Sequence, residues 1–215
     1  MFRKNRLANA PRQMQSLYRS PSGRQVFMKF CSSCASPVQQ SIPAGDNRMR
    51  WVCTTCNNIH YQNPNMVVGT ISTWHEHILL CRRAIEPRYG FWTLPAGFLE
   101  NDETTEQGAE RETREEAGAQ ITGLEPFAMI DVPHVNQVHL FFRATMLTDM
   151  LDPGDESLEA KLFRAEDIPW EQIAFRTVFK ALKWFLEDQQ RDPTFERSIF
   201  HYDAIALGSR QRSAS

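Results

Sequence analysis

The sequence predicts an α/β fold in two parts, a small four-cysteine metal module followed by a mixed sheet with flanking helices. Three features of the 215-residue chain predict it: two spaced cysteine pairs, a series of apolar strand-like stretches, and a glutamate-rich helical stretch between them. Hydrophobic residues make up 41% and charged residues 23%, and the formal net charge is −2. This balance favours neither nucleic acid nor an anionic membrane as a partner, and no apolar run approaches the roughly 20 residues of a membrane span.

Residues 1–27 contain six arginine or lysine residues, no acidic residue and no hydrophobic periodicity. We expect a disordered basic tail. Three accounts of it stay open: an arginine-rich transit peptide that would send the chain to an organelle, a start codon assigned upstream of Met28, and a basic nucleic-acid-binding arm. We favour the upstream start, which makes the cytoplasm the expected location.

Four cysteines have the spacing of a zinc ribbon, which we place at residues 28–62. Cys31 and Cys34 form one C-x-x-C pair, Cys53 and Cys56 form another, and eighteen residues separate the pairs. Thiolates at this spacing are typical of a structural Zn²⁺ site, and a module this small needs the metal's contribution, on the order of 10 kcal/mol, to fold. Two redox pairs or two disulfides are the alternatives.

The apolar stretches after the ribbon predict a strand-rich domain over residues 63–190, followed by a C-terminal extension at 191–215. An amphipathic helix is expected over Phe175–Leu186, where apolar residues recur at helical spacing. Cys81 and Trp92 are expected to pack in the core, and Gly208–Ser215 to be loose. Strands are expected over residues 66–71, 77–83, 127–132, 139–144 and 162–164.

A second helix is predicted inside the acidic stretch that follows residue 96. Thr104 is a suitable N-cap, and Gln107 three residues later completes a capping box. Gly118 is a natural C-cap. The helix should therefore run from about Thr105 to Ala117.

Three carboxylates lie on one face of this helix. Glu112, Glu115 and Glu116 occupy positions i, i+3 and i+4, where like charges cost roughly 0.2–0.5 kcal/mol per pair. A hard cation bound between them would remove that cost. A solvated acidic face is the alternative interpretation, and the flanking residues decide against it, because glycines, a further glutamate and an arginine recur at fixed separations.

This stretch resembles the Nudix box, G-x5-E-x7-R-E-U-x-E-E-x-G-U, in which U is a bulky aliphatic residue. From Gly97 onward every charged position and both glycines match. Thr113 and Ala119 depart from the pattern at the two U positions, which concern helix packing. The resemblance implies a Nudix α/β/α sandwich that hydrolyses a nucleoside diphosphate linked to a second moiety.

The same resemblance implies the site residues. The box glutamates, with the backbone carbonyl of Ala96, would hold Mg²⁺ or Mn²⁺, cations that prefer oxygen ligands, and would carry the catalysis. Glu103 and Arg111 would pair and brace the loop against the helix. The general base is either a box glutamate, Glu115 or Glu116, or a glutamate of a later loop. Glu156 and Glu159 are the candidates in that loop, and Glu159 is taken forward. The alternative for Glu156 and Glu159 is that both are solvated surface residues.

Candidates for substrate binding lie before the box. Arg82 and Arg83 alternate across a strand, so one of them can face the diphosphate. Tyr89 and Phe91 are candidates to stack on adenine or isoalloxazine.

Other stretches resemble the plant plastid FAD pyrophosphohydrolase and its bacterial relatives, which implies cleavage of FAD to FMN and AMP, with ADP-ribose as another substrate, and a homodimer. The runner-up is the zinc-ribbon NADH pyrophosphatase, which also removes NAD caps from RNA; its signature S-Q-P-W-P-F-P-x-S has no counterpart between the box and His139. A nucleotide-sensing nucleic-acid-binding module is a third hypothesis. The stretches that carry the FAD resemblance are 61–64, 67–69, 80–83, 92–97, 156–159 and 162–163.

Overall fold

A computed structural model describes residues 28–196 and 199–205 of the chain. The chain divides into two compact units with the boundary between Asn63 and Pro64. The predicted tail at 1–27 and the loose end at Gly208–Ser215 lie outside the described residues. Within the described part, no helix is long and apolar enough to cross a membrane.

The first unit is a three-stranded antiparallel sheet. Its strands are β1 (Val38–Ser41), β2 (Arg50–Cys53) and β3 (Ile59–His60), with β2 in the centre. Asp46 organises the turn between β1 and β2, because its carboxylate accepts the Asn47 backbone N–H at 2.6 Å and pairs with the Arg50 guanidinium at 2.8 Å. The turn therefore closes the β1–β2 hairpin, in which Cys53 is the last residue of β2.

The second unit is built on a mixed sheet. From one edge of the sheet to the other, the strand order is β10-β5-β4-β9-β8-β11, with β6 paired to β5 and β7 paired to β4. The β4–β9 and β8–β11 pairs are parallel, and the other pairs are antiparallel. The strands are β4 (Asn65–Trp74), β5 (His77–Arg83), β6 (Trp92–Thr93), β7 (Ala96–Phe98), β8 (Ile121–Val132), β9 (Gln137–Met146), β10 (Ser157–Phe163) and β11 (His201–Ala204).

Two helices cover opposite faces of this sheet. Helix α1 (Thr105–Ala117) packs through Ala109 and Ala117 on the face that presents Val68, Leu79 and Cys81. Helix α2 (Arg176–Arg191) buries its apolar side on the other face, with Phe127 and Phe141 at the centre of that core. The predicted α/β sandwich with a mixed sheet is confirmed.

The predicted helix over residues 105–117 is confirmed to its ends, since Thr104 and Gln107 form the capping box and Gly118 adopts the left-handed conformation at φ 66°. The amphipathic helix is also confirmed, although it continues five residues further than predicted. Cys81 and Trp92 are buried, as expected. Strand β11 lies within the C-terminal extension and was not predicted.

Candidate metal centres and active site

The four ribbon cysteines meet at one point. Their sulfur atoms lie within 4.8 Å of one another, and the contacts between the two pairs include Cys34–Cys53 at 3.4 Å and Cys31–Cys56 at 3.7 Å. Four thiolates at about 2.3 Å around a tetrahedral Zn²⁺ are separated by about 3.8 Å, so the donor set and its spacing fit zinc. Backbone N–H groups of Ser33 and Thr55 point at the sulfurs of Cys31 and Cys53, each at 3.4 Å.

The carboxylates of helix α1 face the β7 segment, but they are not equivalent. The Glu112 side chain is 13% exposed, whereas the Glu115 side chain is 57% exposed. Glu116 is 8% exposed as a whole residue. Gly97 lies against Glu112 so closely that a Cβ at this position would be 2.3 Å from its Oε1. A side chain at the first box position would therefore have to displace the Glu112 carboxylate.

Burial dominates the electrostatics of this pair. Loss of solvation raises the pKa of Glu116 to about 8, and the negative charge of Glu112 adds to the shift. Arg83 and the backbone N–H of Ala96 oppose it. Burial also raises the pKa of Glu112. Two partly desolvated carboxylates close together favour a cation, which would replace the proton that burial otherwise favours on Glu116.

The predicted brace is present and reaches further than predicted. The guanidinium of Arg111 donates to both oxygens of Glu103, at 2.7 and 3.0 Å, and its pairing holds the pKa of Glu103 at about 2. The same guanidinium donates to Glu112 at 2.7 Å and to Glu115 at 3.0 Å. Arg111 thus orients two box glutamates in addition to closing the loop.

The structure separates the two candidate arginines. Cys81 directs its Sγ at the backbone carbonyl of Glu116, 3.8 Å away, and strand alternation puts Arg83 on the same face, where its charge acts on Glu116. The Arg83 guanidinium lies 5.0 Å from the Phe175 ring centroid. Both arginines donate from Nε to a backbone carbonyl, Arg83 to Pro87 at 2.9 Å and Arg82 to Gly90 at 3.0 Å, but Arg82 lies on the opposite face of the strand. Arg83 is therefore the arginine beside the carboxylates.

The two later glutamates also differ. Glu159 lies opposite Arg82 in the β10–β5 pairing, with a charge separation of 3.9 Å and both side chains nearly half exposed. Glu156 precedes β10, and its negative charge acts on both Glu112 and Glu116. Glu156 is thus close enough to act electrostatically on the two carboxylates, whereas Glu159 forms an ion pair with Arg82.

The aromatic candidates lie in the segment that joins β5 to β6. Tyr89 is 55% exposed, while Phe91 is half-buried beneath the guanidinium of Arg88, 5.4 Å from its ring centroid.

The sequence did not single out the buried hydroxyls of Thr70 and Ser72 next to Thr113. The departure of Thr113 from the aliphatic pattern was the available signal.

Comparison with known families agrees with this division of the chain. A model described as NUDIX domain matches residues 64–185, and a zinc-ribbon model described as Nudix N-terminal matches residues 29–62. The domain model alone covers more than half of the 215 residues.

Curated relatives share part of the chain. The NAD-capped RNA hydrolase NudC of Stutzerimonas stutzeri is 32% identical over 146 residues, covering 66% of this chain and 50% of the relative. The protein of the same name from Salmonella typhi is 29% identical over 167 residues, covering 76% and 59%. The chain therefore spans between half and three fifths of the length of these relatives.

Solved structures give a more complete match. A NUDIX hydrolase from Nitrosomonas europaea is 47% identical, with a TM-score of 0.79, covering 83% of this chain and 99% of that one. The NUDIX domain of Shewanella oneidensis NrtR complexed with ADP ribose is 19% identical, with a TM-score of 0.51, covering 61% and 90%. The second likeness shows the fold alone.

Proposed function

The chain belongs to the Nudix hydrolase family, and from this premise we propose that it hydrolyses the diphosphate bridge of an adenosine diphosphate derivative with Mg²⁺ or Mn²⁺. The observation that carries the proposal is the pair Glu112 and Glu116, two carboxylates beside β7 whose pKa values are both raised by burial. A fold that has lost its chemistry gains stability by replacing such carboxylates, so their retention supports an active site.

The metal would be held by Glu112, Glu115, Glu116 and the backbone carbonyl of Ala96. Bound there, it supplies charge neutralisation at the phosphates and a lower pKa for a coordinated water. Arg111 holds two of the carboxylates at fixed positions, which lowers the reorganisation needed when a substrate arrives. The zinc of the ribbon has a structural role in this proposal.

We assign the general base to Glu156 in preference to Glu159. A base must be within reach of the water that it deprotonates, and Glu156 interacts electrostatically with the two buried box glutamates. Glu159 is already paired with Arg82 on an exposed part of the sheet edge. The box residue Glu115 is already paired with Arg111, at 3.0 Å.

FAD is the first proposed substrate, with ADP-ribose as a second, on the strength of the motif resemblance outside the box. NAD(H), free or as an RNA cap, is the other candidate, because the curated relatives are NAD-capped RNA hydrolases. All of these contain an adenosine diphosphate unit, so one diphosphate site serves each of them. We propose Arg83 as its phosphate contact, Arg82 as a more distant one, and Tyr89 or Phe91 as the stacking surface.

The test is a hydrolysis panel over FAD, ADP-ribose, NADH and NAD-capped RNA, with Mg²⁺ or Mn²⁺, that compares kcat/KM for the wild type and Glu116→Gln. Formation of FMN and AMP as the fastest reaction supports the flavin assignment. Faster release of nicotinamide mononucleotide supports the NAD assignment. Failure of every substrate to exceed the Glu116→Gln background contradicts the hydrolase proposal. Sedimentation of the purified protein tests the proposed homodimer.

A further inference from the structure

Three buried hydroxyls connect the box helix to the centre of the sheet. Thr70 and Ser72 project from β4 on the face that meets α1, and Thr113 projects from the helix. The Thr70 and Thr113 oxygens are 2.7 Å apart, as are those of Thr70 and Ser72, and all three residues are fully buried. We call this set the hydroxyl ladder.

The hydrogen bonds of the ladder run in one direction. Thr113 donates its single hydroxyl hydrogen to the carbonyl of Ala109 at 2.8 Å. Thr113 must therefore accept from Thr70, and Thr70 in turn must accept from Ser72, because each hydroxyl has one hydrogen. Every hydroxyl hydrogen in the ladder has an acceptor, and the chain of donors ends on the backbone of the box helix.

Thr70 also contacts the segment that carries Ala96, whose backbone carbonyl is a proposed metal ligand. Its backbone N–H donates to the carbonyl of Pro95 at 3.1 Å, directly before Ala96. The neighbouring Gly69 pairs with Ala96, and a Cβ on Gly69 would lie 2.4 Å from the Cβ of Ala96. One residue of β4 thus contacts the segment that carries Ala96 through its backbone and the helix that carries the glutamates through its side chain.

We propose that the hydroxyl ladder is a positioning device that fixes the box helix against β7, and so sets the separation between the Ala96 carbonyl and the carboxylates of Glu112 and Glu116. This inference rests on the proposed function and deepens it. Thr113 lies between those two glutamates in sequence, so a rotation of the helix about its axis moves both of them. The hydroxyl at this aliphatic position of the box is matched by polar residues on β4.

The experiment measures Mn²⁺ affinity by the electron paramagnetic resonance signal of free Mn²⁺, together with the thermal midpoint and, at saturating Mn²⁺, kcat and KM. The variants are Thr113→Val, Thr70→Val, Thr113→Ser and the triple change Thr70→Val, Ser72→Ala, Thr113→Val. Thr177→Val is the matched control, since Thr177 is another buried helix threonine, and its hydroxyl has no partner among the described residues.

Thr113→Val leaves the Thr70 and Ser72 hydroxyls, which can satisfy only one of their two hydrogens between them, so we expect Mn²⁺ affinity and kcat to fall about three- to tenfold while KM changes less than about twofold. Thr70→Val should act in the same direction. Thr113→Ser should keep wild-type affinity because it keeps the hydroxyl. In the triple variant the polar groups are removed together, so the midpoint should recover while the Mn²⁺ affinity stays low.

Recovery of Mn²⁺ affinity together with the midpoint in the triple variant would show that the ladder only stabilises the fold, and it would overturn the inference. Equal affinity in the wild type, Thr113→Val and Thr70→Val would overturn it too. A wild type that binds no Mn²⁺ and hydrolyses no substrate overturns the proposed function, and the wild-type measurement alone reveals that outcome.

Discussion

The ribbon and the sheet domain each contain a site suited to a cation, and the two sites have opposite relations to folding. Within residues 28–62 only Cys31 and Cys53 are buried, so the ribbon has almost no core apart from its sulfurs. The sheet domain has an extensive apolar core, and its buried Glu116 and partly buried Glu112 oppose folding because burial raises the pKa of both carboxyl groups. Metal at the first site creates a fold, whereas metal at the second compensates for a cost that the fold already bears.

The largest effect should follow from removing a ribbon sulfur. Cys53→Ser leaves three thiolates, so zinc should be lost and the ribbon should unfold, since the metal contributes on the order of 10 kcal/mol to modules of this size. Zinc content by mass spectrometry and amide hydrogen exchange over residues 28–62 check this. Cys81→Ala is the control, since that buried thiol is not part of the cluster and should keep full zinc content. Ribbon amides that stay protected in Cys53→Ser would contradict the comparison.

The second effect should separate activity from stability at the carboxylate site. Glu116→Gln removes a proposed metal ligand and should lower kcat/KM by about a thousandfold. The same change removes a buried charge, so it should raise the unfolding free energy at pH 8 of the protein without Mg²⁺ or Mn²⁺ but with its ribbon zinc. Glu110→Gln, an exposed glutamate of the same helix, should alter neither quantity by more than about twofold. A metal-free Glu116→Gln protein that is less stable than the wild type would show that Glu116 does not oppose folding.

The third effect concerns the boundary of the carboxylate site. Glu156→Gln should lower kcat about a hundredfold, as expected for loss of a general base. Glu159→Gln should change kcat less than about twofold, because Glu159 is paired with Arg82 in a partly exposed position. Steady-state kinetics of the two variants beside the wild type measure both changes in kcat. A larger loss in Glu159→Gln than in Glu156→Gln would return the base to the residue first favoured from the sequence.

Local signals predicted the box helix to its ends, because the capping box and the Gly118 cap are encoded within a few residues. The beginning of β8 was missed because its register shifts near Gly123 and Pro126 break the alternation that marks a strand. Strand β11 is defined by contacts far away in the chain, including its parallel pairing with β8 and the hydrogen bond from Tyr202 to Asp131. No local pattern contains that information.

The same limit applies to the site. The cysteines and box glutamates follow from spacing, since C-x-x-C pairs and i, i+3, i+4 positions converge by local geometry. Choosing between Arg82 and Arg83, or between Glu156 and Glu159, depends on the pairing of β5 with β10 and on the register shift between Ser157 and Glu159. Because of that shift, strand alternation alone does not show on which face of the sheet each side chain of β10 lies.

The smallest effect should appear in the stability of the metal-free protein as the pH changes. The pKa of Glu116 rises from an ordinary 4.5 to about 8 in the folded state, so the folded protein binds this proton more tightly than the unfolded chain does. Below pH 4.5 both states are protonated and the group costs nothing. Between 4.5 and about 8 the unfolded state ionises first, and stability should fall by about 1–3 kcal/mol.

Urea unfolding from pH 4.5 to 9 measures this slope, and three comparisons assign it. Glu116→Gln should flatten it, whereas Glu110→Gln should keep it. Saturating Mg²⁺ should reverse it, because the cation binds the ionised form and competes with the proton. Glu103 acts in a different window, since pairing with Arg111 lowers its pKa to about 2 and its contribution is lost only as the pH falls below 4.5. A wild-type slope that Glu116→Gln leaves unchanged would place the cost in other groups and end the contrast between the two metal sites.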